Sequence, residues 1–222
     1  MDNPTTKSSV ETGVKNADDG FKNHQRNVLQ CQSCPEVFGP PVTGFVPHAR
    51  VFLMGQAPGP KEMEAGKPFI WTAGRTLFRW IATTGVEESL FRERVYMGAV
   101  IRCFPGKLPG KSGDRKPSRV EIQQCDRFFQ NELKLLQPDL VIAVGRMAIE
   151  KMMPFKLLDD VVGQVFQIEH EGHHFRCLPL PHPSGLSRWI QKPEGKAKVV
   201  KAMEQLAYEP SWRATFPEIF FS

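Results

Sequence analysis

Arg50-Val-Phe-Leu-Met-Gly-Gln-Ala-Pro-Gly-Pro60 decides the fold. Arg50–Met54 is a short apolar run that stops at Gly55, so it reads as a buried strand running into a glycine- and proline-rich loop. The pattern recurs. Arg94–Ile101 (RVYMGAVI) and Asp139–Val144 (DLVIAV) are further apolar runs of strand length. Helical spacing falls between them. Leu77, Phe78 and Ile81 share one face of Thr72–Thr83, and Ser118-Arg-Val-Glu121 is a capping box opening a helix to about Leu136. Gly145 leads into a short helix to about Met152, and Lys196–Leu206 forms a last one. Val161–His170 and His173–Leu180 flank Glu171-Gly172 as a hairpin. Strands alternating with helices predict right-handed βαβ units, hence a mainly parallel sheet with helices on both faces. Ligands of such folds sit at the carboxyl ends of the strands. Two segments occupy that position here: Gly55–Pro60, and His182-Pro-Ser-Gly185 after the last strand.

Outside this region, residues 1–22 have no apolar periodicity and read as a disordered tail. Residues 23–208 form one domain, and 209–222 a C-terminal extension. No apolar run approaches the roughly 20 residues of a membrane helix, and the polar first residues do not resemble an export signal. The expectation is a monomeric, cytoplasmic, nucleoid-associated protein. Net charge is +5, and residues 102–119 hold six basic side chains against Asp114 alone, which equals the whole excess. Such a segment can track a phosphate backbone, so Lys107, Lys111 and Arg115 are candidate DNA contacts.

Five cysteines stand at 31, 34, 103, 125 and 177. An odd count without an export signal argues against a disulfide framework. Cys31-Gln-Ser-Cys34 is a C-x2-C pair. Cys103 is read as ending a strand, and Cys125 as lying two turns into the helix capped by Ser118. Four thiolates suit either a structural zinc or an iron–sulfur cluster. Cys177, within FRCLPL, reads as a small core residue.

The order of these segments resembles the uracil-DNA glycosylase superfamily, closest to its iron–sulfur branch, family 4. The similarity runs from about Cys31 to Trp189. It rests on C-x2-C, GQAPGPKE (motif A), GKPF, RCFPG, a helical cysteine, LVIAVGRMAIEKM and HPSGLS (motif B). The resemblance implies a three-layer α/β/α sandwich around a four-stranded mainly parallel sheet. It implies a [4Fe-4S] cluster on Cys31, Cys34, Cys103 and Cys125, with zinc as the other candidate. It also implies a monofunctional glycosylase that flips uracil, or a related deaminated base, out of DNA and hydrolyses the N-glycosidic bond to leave an abasic site.

Residue by residue, the resemblance puts Gly55, Gln56, Ala57, Phe69, Ala99 and His182 around the base. Phe69 would stack on the base, and His182 would donate to a base carbonyl as charge develops there. Glu62 is the candidate water-activating carboxylate, with Glu64 as the alternative and Gln56 as a water- or base-orienting amide. Gly59, Ser184, Gly185 and Arg188 would approach phosphates, Ala73-Gly74 would open a helix towards one, and Leu186 would fill the gap left by the flipped base. The remaining histidines read as surface residues. Two departures stand out. Gln56 replaces the usual Glu of family 4, and Ala99 replaces an Asn that reads the polar edge of uracil, so hypoxanthine and xanthine stay open as substrates. The Cys103–Cys125 interval is long but contains no histidine, which argues against covalent trapping of DNA. Two further readings compete: a catalytically weak or inactive binder of uracil or abasic DNA with the same fold, and a four-cysteine zinc protein that binds nucleic acid.

Overall fold

A computed structural model describes residues 18–110, 113–185 and 187–221. The chain opens with a helix over residues 18–29 (α1). There follow β1 (Val51–Gly55), α2 (Pro60–Ala65), α3 (Thr72–Ala82), α4 (Glu88–Arg94), β2 (Val95–Ala99), α5 (Arg119–Leu136) and β3 (Leu140–Val144). Then come α6 (Arg146–Met152), α7 (Leu158–Val161), β4 (Phe166–His170), β5 (His173–Leu180), α8 (Arg188–Gln191), α9 (Pro193–Tyr208), α10 (Pro210–Thr215) and α11 (Pro217–Phe220).

The sheet has five strands in the order β2-β1-β3-β5-β4. The first four are parallel, and β4 adds an antiparallel edge to β5. The sheet therefore has one strand more than the four expected. Every residue of β1, β2 and β3 is buried. Successive side chains of a strand face opposite ways, so these strands are covered on both faces, which is why they read as unbroken apolar runs. On β4 the side chains alternate between exposed and half-buried, as an edge strand allows. The β4–β5 turn puts Glu171 at φ 49° and Gly172 at φ 81°. Positive φ at both central residues is the twist that tight hairpins favour.

Helix α5 begins as its sequence predicts. The Ser118 hydroxyl accepts from the Glu121 N–H at 3.3 Å, and the Glu121 carboxylate accepts from the Ser118 N–H at 2.7 Å. Phe129 of α5 meets Phe52 of β1, which meets Tyr96 of β2 at 5.2 Å between ring centroids. Phe21 of α1 packs edge-on against Tyr96.

Both chain ends depart from expectation. Residues 18–22, assigned to a disordered tail, lie in α1, and Phe21 is buried in the core. His24, read as a surface histidine, is also buried. The segment after 208, read as an extension, folds as α10 and α11. Its Trp212 and Phe216 are fully buried, with Trp212 packed on Phe91. Pro210 and Pro217 start these helices at their first turn, where a missing N–H costs nothing. Trp212→Ala is accordingly expected to remove about 3–5 kcal/mol of stability, read from the urea midpoint. An unchanged midpoint would make α10 peripheral to the fold.

Candidate functional site

Motif A leaves β1 at Gly55 and turns into α2. Glu62 sits at the third position of that helix and reaches back. Its Oε2 accepts from the Gly59 N–H and its Oε1 from the Phe69 N–H, both at 2.6 Å. Burial pushes the Glu62 pKa up by more than these two hydrogen bonds pull it down, and Asp114 nearby adds to the rise. Glu62 thus clamps two loops together. The Gly59 amide, expected to meet a phosphate, is committed to that clamp. Glu64 is exposed and pairs with Lys61 at 2.7 Å.

Phe69 has φ 52°, a left-handed backbone that costs a bulky residue roughly 1–3 kcal/mol. Besides the Glu62 bond, Arg92 holds this conformation. Its guanidinium donates to the Pro68 carbonyl at 2.8 Å and to the Phe69 carbonyl at 3.1 Å. Arg92 is itself fixed by Glu88 at 2.7 Å and lies over the Phe78 ring. A Cβ on Gly74 would fall 1.7 Å from the Phe69 carbonyl oxygen, so only glycine lets α3 approach so closely. A Cβ on Gly55 would lie 3.0 Å from the Phe69 ring, which rests over the end of β1.

Motif B follows β5. His182 packs against Gly145 at the end of β3, where a Cβ would stand 3.3 Å from the imidazole. Motifs A and B, Phe69 and the end of β2 enclose a cavity of about 420 Å³, within the range of small-molecule sites. Gly55, Gln56, Ala57, Phe69, Ala99 and His182 all line it, as do Gly59, Glu62 and Ser184. All six residues expected around a base are therefore brought together. Burial lowers the His182 pKa, while Asp114 opposes the fall, so the neutral imidazole is favoured.

The stretch after β2 folds back over this cavity. Lys107 and Asp114 pair as an antiparallel bridge, the Leu108 N–H donates to the Gly113 carbonyl, and the Arg115 N–H donates to the Gly106 carbonyl. The Lys107 ammonium meets the Asp114 carboxylate at 2.6 Å, and both residues line the cavity. Of the expected DNA contacts, Arg115 is instead turned inward. It pairs with Glu121 at 2.5 Å and donates to the Glu36 carbonyl at 2.9 Å. Gly185 and Arg188 are exposed and are not among the residues that line the cavity. Lys111 and Leu186 lie outside the described residues.

Cys31, Cys34, Cys103 and Cys125 line a second cavity, also of about 420 Å³. Cys103 does not end a strand, because β2 stops at Ala99 and Cys103 sits in the loop beyond. Burial, together with the charges of the three neighbouring cysteines, pushes its pKa up to about 12. Arg127 donates to the Cys31 sulfur and the Arg102 amide to the Cys125 sulfur, each at 3.3 Å. Cys177 is fully buried among apolar neighbours.

Residues 43–207 match the family model for the Uracil DNA glycosylase superfamily. The chain belongs to that superfamily. Among curated relatives, the Type-4 uracil-DNA glycosylase of Archaeoglobus fulgidus is 26% identical over 171 residues, covering 72% of this chain and 80% of its own. That of Pyrobaculum aerophilum is 29% identical over 143 residues, covering 62% and 68%. The Thermotoga maritima protein of the same name is 27% identical over 139 residues, covering 63% and 67%.

Several residues of this superfamily member escaped the reading of its motifs. Arg92 fixes Phe69, and Trp71 stands exposed at the cavity rim with Arg75 beside its ring. Asp114 enters the cavity from a loop that looks purely basic. Its one signal in the sequence is that it is the sole acid there.

The lowered His182 pKa has a consequence for stability. The unfolded imidazole titrates near 6.5, and the folded one lower. Between those values the unfolded chain holds a proton that the folded chain lacks, so stability rises with pH across that window and is reduced below it. His182→Gln is expected to flatten this limb, and an NMR titration of His182 to show a midpoint below 6.5. A midpoint at or above 6.5 would contradict a buried neutral imidazole.

Proposed function

We propose that this protein excises uracil, or a related deaminated base, from DNA by hydrolysing the N-glycosidic bond, leaving an abasic site. One observation carries the reading. Phe69 and His182, from loops more than a hundred residues apart, face one base-sized cavity at the carboxyl ends of the parallel strands. The names of the Type-4 relatives point the same way.

Base excision requires a flipped nucleotide, a grip on the base and stabilisation of the charge that the base carries away. The Phe69 ring offers a stacking face, worth roughly 1–3 kcal/mol and tolerant of base identity. It is held in place before DNA arrives. Neutral His182 donates an N–H to a base carbonyl as negative charge accumulates there. The Gln56 amide has no basic site and orients base or water by hydrogen bonding. Ala99 offers a methyl group, so the base edge meets backbone groups and Gln56 rather than a dedicated amide. That chemistry admits hypoxanthine and xanthine beside uracil. Ser184 lines the cavity, and exposed Gly185 and Arg188 follow it in the chain as groups that would meet the DNA backbone.

The cysteine cavity fits a [4Fe-4S] cluster. Arg102 lines it, and its Nε and Nη1 are buried with no hydrogen-bond partner among the described residues. The Arg102 charge is met by Glu132, and a cluster on four thiolates would add sulfur acceptors and negative charge beside the two remaining donors. Cys31 and Cys34 after α1, Cys103 after β2 and Cys125 of α5 would hold the cluster. When bound, it supplies a covalent cross-link between these three segments.

The test is excision from oligonucleotides carrying a single uracil, hypoxanthine or xanthine, single- and double-stranded. Cleavage is expected for uracil and only after alkali, which marks a monofunctional enzyme. His182→Ala is expected to slow single-turnover excision about 100-fold, with DNA affinity nearly unchanged. Equal loss of both would make His182 a docking residue, and inertness of the folded wild-type protein on all three bases would replace the reading by that of a non-catalytic binder. Metal analysis should find about four irons with inorganic sulfide per chain and brown protein that bleaches on Cys103→Ser. One zinc in a colourless protein would overturn the cluster assignment.

A further inference from the structure

We infer that Asp114 is a catalytic residue of this site, the carboxylate that takes the proton from the attacking water. The inference rests on the glycosylase reading above and supplies the base that motif A lacks. Gln56 cannot accept a proton, and Ala57 has no functional group. Glu62 spends both oxygens on the backbone N–H groups of Gly59 and Phe69, so using it as a base would loosen the loop that carries the stacking ring. Among the described residues lining the cavity, the other carboxylate is Asp114.

The fold delivers Asp114 deliberately. The Lys107–Asp114 bridge is closed by two backbone hydrogen bonds of 2.9 Å. Its outgoing strand is pinned at the next residue, where Arg115 pairs with Glu121 in the capping box of α5. Lys107 engages Oδ1 of Asp114. Oδ2 faces motif A, 3.7 Å from where a Cβ on Gly59 would stand. Asp114 shares the cavity wall with Glu62 and His182. The Lys107 partner holds Asp114 without removing it from solvent, since both side chains are substantially exposed. An exposed pair of this kind is weak and gives way easily when DNA phosphates arrive.

The step balances as follows. The C1′–N bond breaks, and its electron pair leaves on the base, whose developing charge meets His182. The water oxygen bonds to C1′ on the opposite side. One water proton passes to the Asp114 carboxylate and then to solvent, and the base anion takes a proton from solvent.

The experiment compares wild type, Asp114→Asn and Asp114→Glu. Single-turnover excision of uracil and affinity for an oligonucleotide with an abasic site are measured side by side. Asparagine keeps the shape and the backbone bridge but cannot take a proton. Its excision rate is expected to fall about 100-fold, the scale of general-base catalysis, with abasic-DNA affinity within about twofold of wild type. Asp114→Glu, which restores a carboxylate, is expected to recover at least a tenth of the wild-type rate. A rate for Asp114→Asn within threefold of wild type would overturn the inference. So would parallel losses of rate and affinity, because Asp114 would then only shape the loop on DNA. Failure of the glycosylase reading itself looks different: there the wild-type protein is inert on every deaminated base.

Discussion

A buried ion pair fixes the frame on which both cavities are built. Arg102 follows β2 and Glu132 lies on α5, and their side chains are 1% and 0% exposed. Burial disfavours charge on both, yet each raises the other's preference for the ionised state, so the Arg102 pKa rises and the Glu132 pKa falls. Glu132 also accepts from the Tyr96 hydroxyl at 2.8 Å, and His24 of α1 completes the group, its Nδ1 accepting from Asn131 at 2.9 Å. Removing one partner from such a pair costs about 3–5 kcal/mol, because the other charge is stranded. Four segments meet here: α1, β2, the loop after β2, and α5. Cys31 and Cys34 follow the first of these, Cys103 and Asp114 lie in the third, and Cys125 in the fourth.

The same frame separates holding from chemistry. Glu62, Arg92 and Arg115 are charged residues near the base cavity, yet each spends its charge on backbone or on an opposite charge. They set where Phe69 and the Lys107–Asp114 bridge lie. Gln56, Phe69 and His182 line the cavity. Polar chemistry collects at one end of the sheet for a simple reason. Strands β1 to β3 are buried along their whole length, so ionisable groups are tolerated only where the strands end.

Much of this was legible from the chain. Apolar runs without alternation announced β1, β2 and β3, because strands covered on both faces need no polar side. Ser118 and Glu121 announced α5, since a capping box is a local hydrogen-bonding device, and Glu171-Gly172 announced the hairpin. Motif order brought the base-facing residues together. What escaped depends on distant partners. In α1 a buried histidine looks polar until Tyr96 and Glu132, 72 and 108 residues further along, satisfy it. Pro210 and Pro217 look like interruptions, although each starts a helix. Asp114 looks like a stray acid in a basic loop until the hairpin folds back. Arg115 looks like a DNA contact until Glu121 claims it.

The outline of the base cavity is drawn largely by atoms that are absent. Gly74 yields its side chain to the Phe69 carbonyl, Gly55 to the Phe69 ring and Gly145 to the His182 imidazole. None of the three performs chemistry. A single added methyl at any of them would push a functional group off its mark while leaving its identity intact. Substitution at these small residues would therefore misplace groups whose chemistry is intact, whereas a same-shape exchange of a reacting side chain would remove chemistry and leave the geometry. Drift towards a new base would begin at positions such as Ala99, which lines the cavity with a single methyl group, and not along the glycine contour against which ring and imidazole rest.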